Sequence, residues 1–195
     1  MLNRASLLAG LTVLALNAYA QEEDSARQTG EIQLSNDTLQ LRYIGSGEAV
    51  GVGGSRLTGA FFLSEERDIV LTGGLLFPAE FNIDRLFLSF GPQLYAALLE
   101  EENNDVMAIS VGAEARYVLM PSIGLALAGQ AYYAPDILTF GSADKLMDLS
   151  ARVEFAFASR AFVFGGMRWF EFDLTEGGGE RTLQEEVFVG FGYRL

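Results

Sequence analysis

The chain has 195 residues, half of them hydrophobic and 12% aromatic, with a formal net charge of −13 at pH 7, which is ample apolar material for one domain. With no Cys and no His, disulfide scaffolds, thiol nucleophiles, imidazole bases and His-ligated metal sites are excluded by inventory. The acidic balance argues against nucleic acid as a partner, and a Ser nucleophile would lack its His base, so a non-enzymatic protein with no catalytic residue, cofactor or metal is expected.

The first twenty residues, MLNRASLLAGLTVLALNAYA, carry one cation at Arg4 and an apolar run from Ala5 to Leu16. That run falls short of the ~20 residues a spanning helix requires. Ala18-Tyr19-Ala20 has the small-x-small form of a signal-peptidase site, so residues 1–20 read as a cleaved secretory signal. Residue 21 is Gln and not Cys, which removes the nucleophile for lipoprotein processing. Residues 21–37 begin QEEDSARQTGE, polar and without periodicity, and read as a flexible leader.

From about Thr38 the texture changes to period-two alternation, with no amphipathic pattern of period 3.6. Candidate strands cover 38–45, 56–64, 69–77 and 85–99. In VMAISVGAEARYVL that follows, Met107, Ile109, Val111, Ala113, Ala115, Tyr117 and Leu119 lie opposite Ala108, Ser110, Gly112, Glu114 and Arg116. IGLALAGQAYY repeats the pattern, and KLMDLSARVEFAFA gives its clearest form, with Met147, Leu149, Ala151, Val153, Phe155 and Phe157 facing away from Asp148, Ser150, Arg152 and Glu154. Stretches 161–174 and 183–195 complete the set.

The connections alternate between short (MPS, ASR) and longer, polar ones (EEENND, APDILTFGSAD, TEGGGERT), counting back from the end. A transmembrane barrel has that asymmetry. Most candidates reach the ~9–11 residues that a tilted strand needs to cross the hydrocarbon. The non-lipid face is made of Gly, Ala, Ser and a few charges, with Lys145 the single Lys of the chain, and this suits a crowded lumen better than a solvated surface. The expected fold is therefore all-β, a closed antiparallel up-and-down transmembrane barrel over residues 38–195. Bacterial barrels have even strand numbers. Eight strands are favoured, with 38–45 not spanning; ten follow if GSGEAVGVGGS (45–55) or the ILTF segment supplies another.

On this parity the lumen receives Arg42, Arg56, Arg85, Arg116, Arg152, Arg168 and Arg194, interleaved with Glu114, Asp148, Glu154 and Glu186. Burying unpaired charge is costly, so these residues are expected to pair as a plug that fixes strand register. The sharper alternative is a narrow channel or a small-ligand barrel that uses the arginines to hold an anion. Acidic stretches SEERD, EEENND and TEGGGE read as solvated loops, with divalent-cation bridging to lipopolysaccharide as a functional alternative. Trp169, Phe170, Tyr132 and Tyr133 are candidates for an aromatic girdle. The Gly-x-Gly pieces in GVGGS and GFGY precede no helix, which speaks against a dinucleotide site.

The chain ends on EEVFVGFGYRL, with Val187, Val189, Phe191, Tyr193 and Leu195 on one side. A last strand of this kind closes the barrel against the first. Phe191, Tyr193 and Leu195 resemble the C-terminal signal read by the barrel-insertion machinery, with Leu195 in place of the usual Phe.

The stretch GQAYYAPDILTFGSADKLMDLSARVEFAF, followed by ASRAFVFGGMR, resembles the YfaZ family of Gram-negative outer-membrane proteins. The likeness is most specific at Tyr132-Tyr133-Ala134-Pro135-Asp136, at Ala151-Arg152-Val153-Glu154 and at Gly166-Met167-Arg168, and it runs through most of the chain from about Thr38. It implies a small barrel in the outer membrane, in contact with lipid and lipopolysaccharide, and implies no biochemical activity.

Overall fold

A computed structural model describes residues 28–81, 83–100, 104–174 and 180–195. The signal and its cleavage site at Ala18 and Ala20 lie outside the described residues.

The chain forms β1 (Thr29–Leu34), β2 (Thr38–Ser46), β3 (Arg56–Ser64), β4 (Ile69–Ala79), β5 (Leu86–Leu99), β6 (Asn104–Met120), β7 (Leu125–Ala134), β8 (Thr139–Gly141), β9 (Ala143–Ala156), β10 (Ala161–Leu174) and β11 (Glu180–Arg194). All pairings are antiparallel, and β11 closes the ring on β1 with Ile32 opposite Phe191. The three-residue β8 pairs only with β6, beyond the end of β7, so the ring itself has ten strands. Closure gives each of the ten ring strands a neighbour on both sides.

Ten strands correct the favoured count of eight: 38–45 is a full member of the ring as β2, and the tenth strand comes from neither expected place. GSGEAVGVGGS forms a 3₁₀ turn at Gly47–Val50, capped by the Ser46 hydroxyl and ended by Gly51 at φ 81°. ILTF falls in a second such turn, Asp136–Leu138, and in β8. The missing strand is β1, inside the stretch read as leader, so the barrel starts at Thr29 and not at Thr38. β1 alternates Glu31 and Gln33 inward with Ile32 and Leu34 outward, and it pairs along its whole length with both β2 and β11.

Strand parity puts aliphatic and aromatic side chains outside, among them Leu41, Leu71, Leu94, Val111, Leu127, Val153, Val163 and Val189, all exposed. Toward the ends that carry the termini, Tyr43, Tyr117, Phe155, Phe191 and Tyr193 are exposed on this outer face. Tyr133 is exposed near the opposite end, but Tyr132 and Phe170 turn inward and are buried, so those two leave the expected girdle.

Connections 47–55, 121–124 and 157–160 lie at the terminal end; 35–37, 65–68 and 135–142 lie at the other. The short-against-long asymmetry holds for the second half of the chain only, because 47–55 is the long connection of the first half and sits at the terminal end.

Inside, the far end is filled with apolar side chains. Phe62, Val70, Leu99, Val106, Leu146, Phe170, Phe172 and Leu183 form one buried cluster. Leu183 reaches it from the bulge where β11 slips against β10 beside Phe170. Phe162, Phe164 and Phe188 make a second cluster near the terminal end. Gly190 and Gly192 on β11 are required there, since a Cβ would lie 2.2 Å from the Phe164 ring and 2.1 Å from the Phe162 ring.

Candidate functional site

Polar side chains pointing inward from β1, β2, β3, β5, β6, β7, β9 and β10 form two connected layers. The deeper one centres on Asp148, which is fully buried. Its carboxylate accepts from Arg168 Nε at 2.8 Å and Nη2 at 2.9 Å, from the Tyr95 hydroxyl at 2.9 Å, and from Gln130 Nε2 at 3.4 Å. Arg168 also donates to Gln40 and is held between rings, 4.5 Å from the Phe170 centroid and 5.4 Å from that of Phe62. A paired and hydrogen-bonded charge is the form in which such burial is tolerated, and here the pair lies next to the apolar cluster.

The second layer lies nearer the terminal end. Glu31 takes a two-pronged contact from Arg152, 2.8 Å from each of its Nη atoms. Arg152 also reaches Glu154, which accepts from Arg116 Nε at 2.8 Å. Across the lumen Glu114 pairs with Arg42 and accepts from the Tyr132 hydroxyl at 3.1 Å, while Arg56 stands 3.8 Å from it and donates to Ser89 at 3.0 Å. Gln130 joins the layers, since it accepts from Arg42 at 3.3 Å and donates to Asp148.

Between this layer and the terminal end lies a cavity of about 430 Å³. Five arginines (Arg42, Arg56, Arg116, Arg152, Arg194) line it, with Glu31, Glu114, Glu154 and, on the exposed rim, Glu80. An apolar wall is supplied by Ile44, Pro78, Phe81, Phe87 and Phe162. Deeper, beside Gln40, Gln93, Asp148 and Arg168, the lumen shrinks to a void of about 10 Å³, room for roughly one water. Among the described residues the vestibule therefore narrows sharply toward the far end.

The structure thus brings together Arg42, Arg56, Glu114, Arg116, Asp148, Arg152, Glu154 and Arg168. It does not bring in Arg85. That residue is exposed in the turn before β5 at φ 68°, where the alternation that would aim it inward has ended. Residues left out of the expected network are Glu31, hidden in the presumed leader, and the uncharged members Gln40, Tyr95, Gln130 and Tyr132, although alternation in IGLALAGQAYY puts Gln130 and Tyr132 on the inner face. Inward parity next to Arg or Asp is the signal by which those four could have been found. Phe191, Tyr193 and Leu195 face outward and are exposed, on or just past the strand that closes the ring.

Beyond the apolar cluster a smaller ion pair joins Arg181 to Asp68 at 2.9 Å, and Asp68 also caps the Glu100 amide at 3.1 Å. Among the described residues no group of three or more carboxylates gathers as a metal site.

In overall shape the chain is similar to a solved structure described as a KdgM porin in complex with disordered oligogalacturonate, with a TM-score of 0.48, 10% identity, and coverage of 87% of this chain and 99% of that one. No curated protein matches it in sequence. A family model described as "YfaZ precursor" matches residues 5–195, nearly the whole chain. With the strand motifs around Tyr132, Arg152 and Arg168 inside that match, the chain belongs to the YfaZ family of outer-membrane barrels.

Proposed function

We propose that the protein spans the outer membrane of a Gram-negative bacterium as a non-conducting, non-enzymatic barrel, and that it acts through its scaffold and its exposed loops. The observation that carries this reading is the pairing of an apolar exterior with a sealed interior. Exposed apolar side chains recur on the outer face of strand after strand, whereas a soluble monomer ordinarily keeps contiguous bare apolar surface to a few hundred Å². Inside, this reading is supported by the buried Asp148 and Arg168 pair, the apolar cluster beyond it and the void of only about 10 Å³ beside them.

In this reading the terminal end faces the periplasm, and the turns bearing Glu65, Glu66 and Asp136 face outward toward lipopolysaccharide. Phe191, Tyr193 and Leu195 present themselves to the insertion machinery along the outer face of β11. A channel finds little support in a lumen that narrows to one water. A small-ligand barrel has a specific feature in its favour, the arginine-lined vestibule.

The test is conductance in planar bilayers after detergent-purified protein has been shown to run as a heat-modifiable folded band. The expected result is a folded band and no channel steps. Discrete, anion-selective steps from the folded protein overturn the non-conducting reading.

A further inference from the structure

Two of the vestibule arginines are not consumed by the network that buries the others. Arg152 and Arg168 have side chains only 14% and 4% exposed, and each holds a carboxylate at 2.8 Å. Arg56 is 22% exposed; its one hydrogen bond goes to the neutral Ser89, and its only carboxylate contact among the described residues is a loose one at 3.8 Å to Oε2 of Glu114, whose other oxygen is held by Arg42. Arg194 lies on the Phe162 ring, 5.3 Å from its centroid, and has no carboxylate partner among the described residues. Arg116 engages Glu154 through Nε at 2.8 Å and is 26% exposed toward the cavity.

The three inner glutamates are meanwhile each held by an arginine: Glu31 by Arg152, Glu114 by Arg42, and Glu154 by both Arg152 and Arg116. Within a chain of net charge −13, this cavity presents free guanidinium donors and no free inner carboxylate. A guanidinium fork matches a carboxylate or phosphate, and it gains strength where water is scarce. The wall between Arg56 and Arg116, made by Pro78, Phe81 and Phe87, offers nothing to a bare ion and a surface to an apolar group. The volume is within the ~300–1,000 Å³ of small-molecule sites.

We propose that the vestibule binds a small organic anion entering from the terminal end, its carboxylate or phosphate head on Arg56, Arg116 and Arg194 and its apolar part against Phe87 and Phe81. The proposal rests on the narrowing, terminal-side vestibule of the function proposed above.

The experiment is isothermal titration of the full mature barrel in detergent micelles with phenyl phosphate, benzoate, inorganic phosphate and benzyl alcohol. Phenyl phosphate or benzoate is expected to bind saturably with a Kd of about 1 mM or tighter. Inorganic phosphate is expected to bind about tenfold more weakly, and benzyl alcohol not to saturate. The double variant Arg56→Gln/Arg194→Gln should weaken the organic anions by about tenfold or more while the heat-modifiable band remains. Phe87→Ala should weaken phenyl phosphate and leave inorganic phosphate unchanged. If the glutamine variant does not fold, Arg56→Lys/Arg194→Lys keeps the charge, loses the fork, and should still weaken the aromatic anions.

Absence of saturation by either anion up to about 10 mM, equal binding of the neutral alcohol, or a folded double variant that binds like the wild type overturns the proposal. Conductance of the same preparation separates the two readings. A barrel that conducts yet binds loses its seal and keeps this site, whereas one that neither conducts nor binds loses only this site.

Discussion

At the scale of single residues, Asp148 is the carboxylate on which the interior turns. It is completely buried and neutralises a guanidinium that is itself enclosed by rings. Replacing it by Ala strands that charge, and breaking a buried pair in this way costs about 3–5 kcal/mol. Tyr95→Phe removes one hydrogen bond and should cost about 1 kcal/mol. Lys145→Ala, which breaks an exposed pair with Asp173 at 3.2 Å, should leave the unfolding midpoint where it is. Urea titrations in micelles, followed by Trp169 fluorescence, would rank the three. The same measurement applies to Gly192→Val, which drives a side chain into the Phe162 ring and should destabilise by about 1–3 kcal/mol. Gly73→Ala, with open space around the added atom, should be tolerated.

These residues were unequally legible in the sequence. Asp148 and Arg168 sit in long alternating runs, so parity alone aims them inward. Arg85 obeys the same parity but lies one position before its strand, in a backbone turn that parity cannot register. Glu31 was invisible because what identifies it is its partner Arg152, on a strand 121 residues away.

At the scale of elements, the long strands β5, β6, β9, β10 and β11 were readable because alternation persists over enough residues to exclude chance. β1 was not, since TGEIQL has two outward apolar side chains and follows a polar run, and its strand character comes from having β2 and β11 on either side. The ring closure makes a direct prediction. Ile32 and Phe191 face each other across the seam, both on the outside, where facing Cα atoms are about 4.5–5.5 Å apart. Cysteines at these two positions, in a chain with no others, should form a disulfide on mild oxidation, seen as a mobility change reversed by reductant. The pair Ile32→Cys/Val187→Cys, displaced along β11, should not.

At the scale of the whole molecule, the interior changes character from one end to the other: greasy and shut on the far side, charged and open on the terminal side. Composition hinted at the arginines but not at this division, because strand parity tells inside from outside and is silent about height along the axis. The proposed orientation is checked by labelling intact cells with a membrane-impermeant thiol reagent. Ile137→Cys, at an 81% exposed position in the far-end 3₁₀ turn, should react. Ile123→Cys, in the terminal-end turn, should react only after the outer membrane is permeabilised.

The grip of Glu31 on Arg152 passes behind β11 and β10, from the first strand to the third-last of the ring. The join between the chain's two ends is consequently fastened from within as well as along its backbone. To unzip there, a guanidinium would have to let go of a carboxylate where little solvent waits to receive either. On the membrane-spanning, sealed reading proposed above, a sideways exit through that join is barred, and whatever enters the barrel leaves by the mouth it came through.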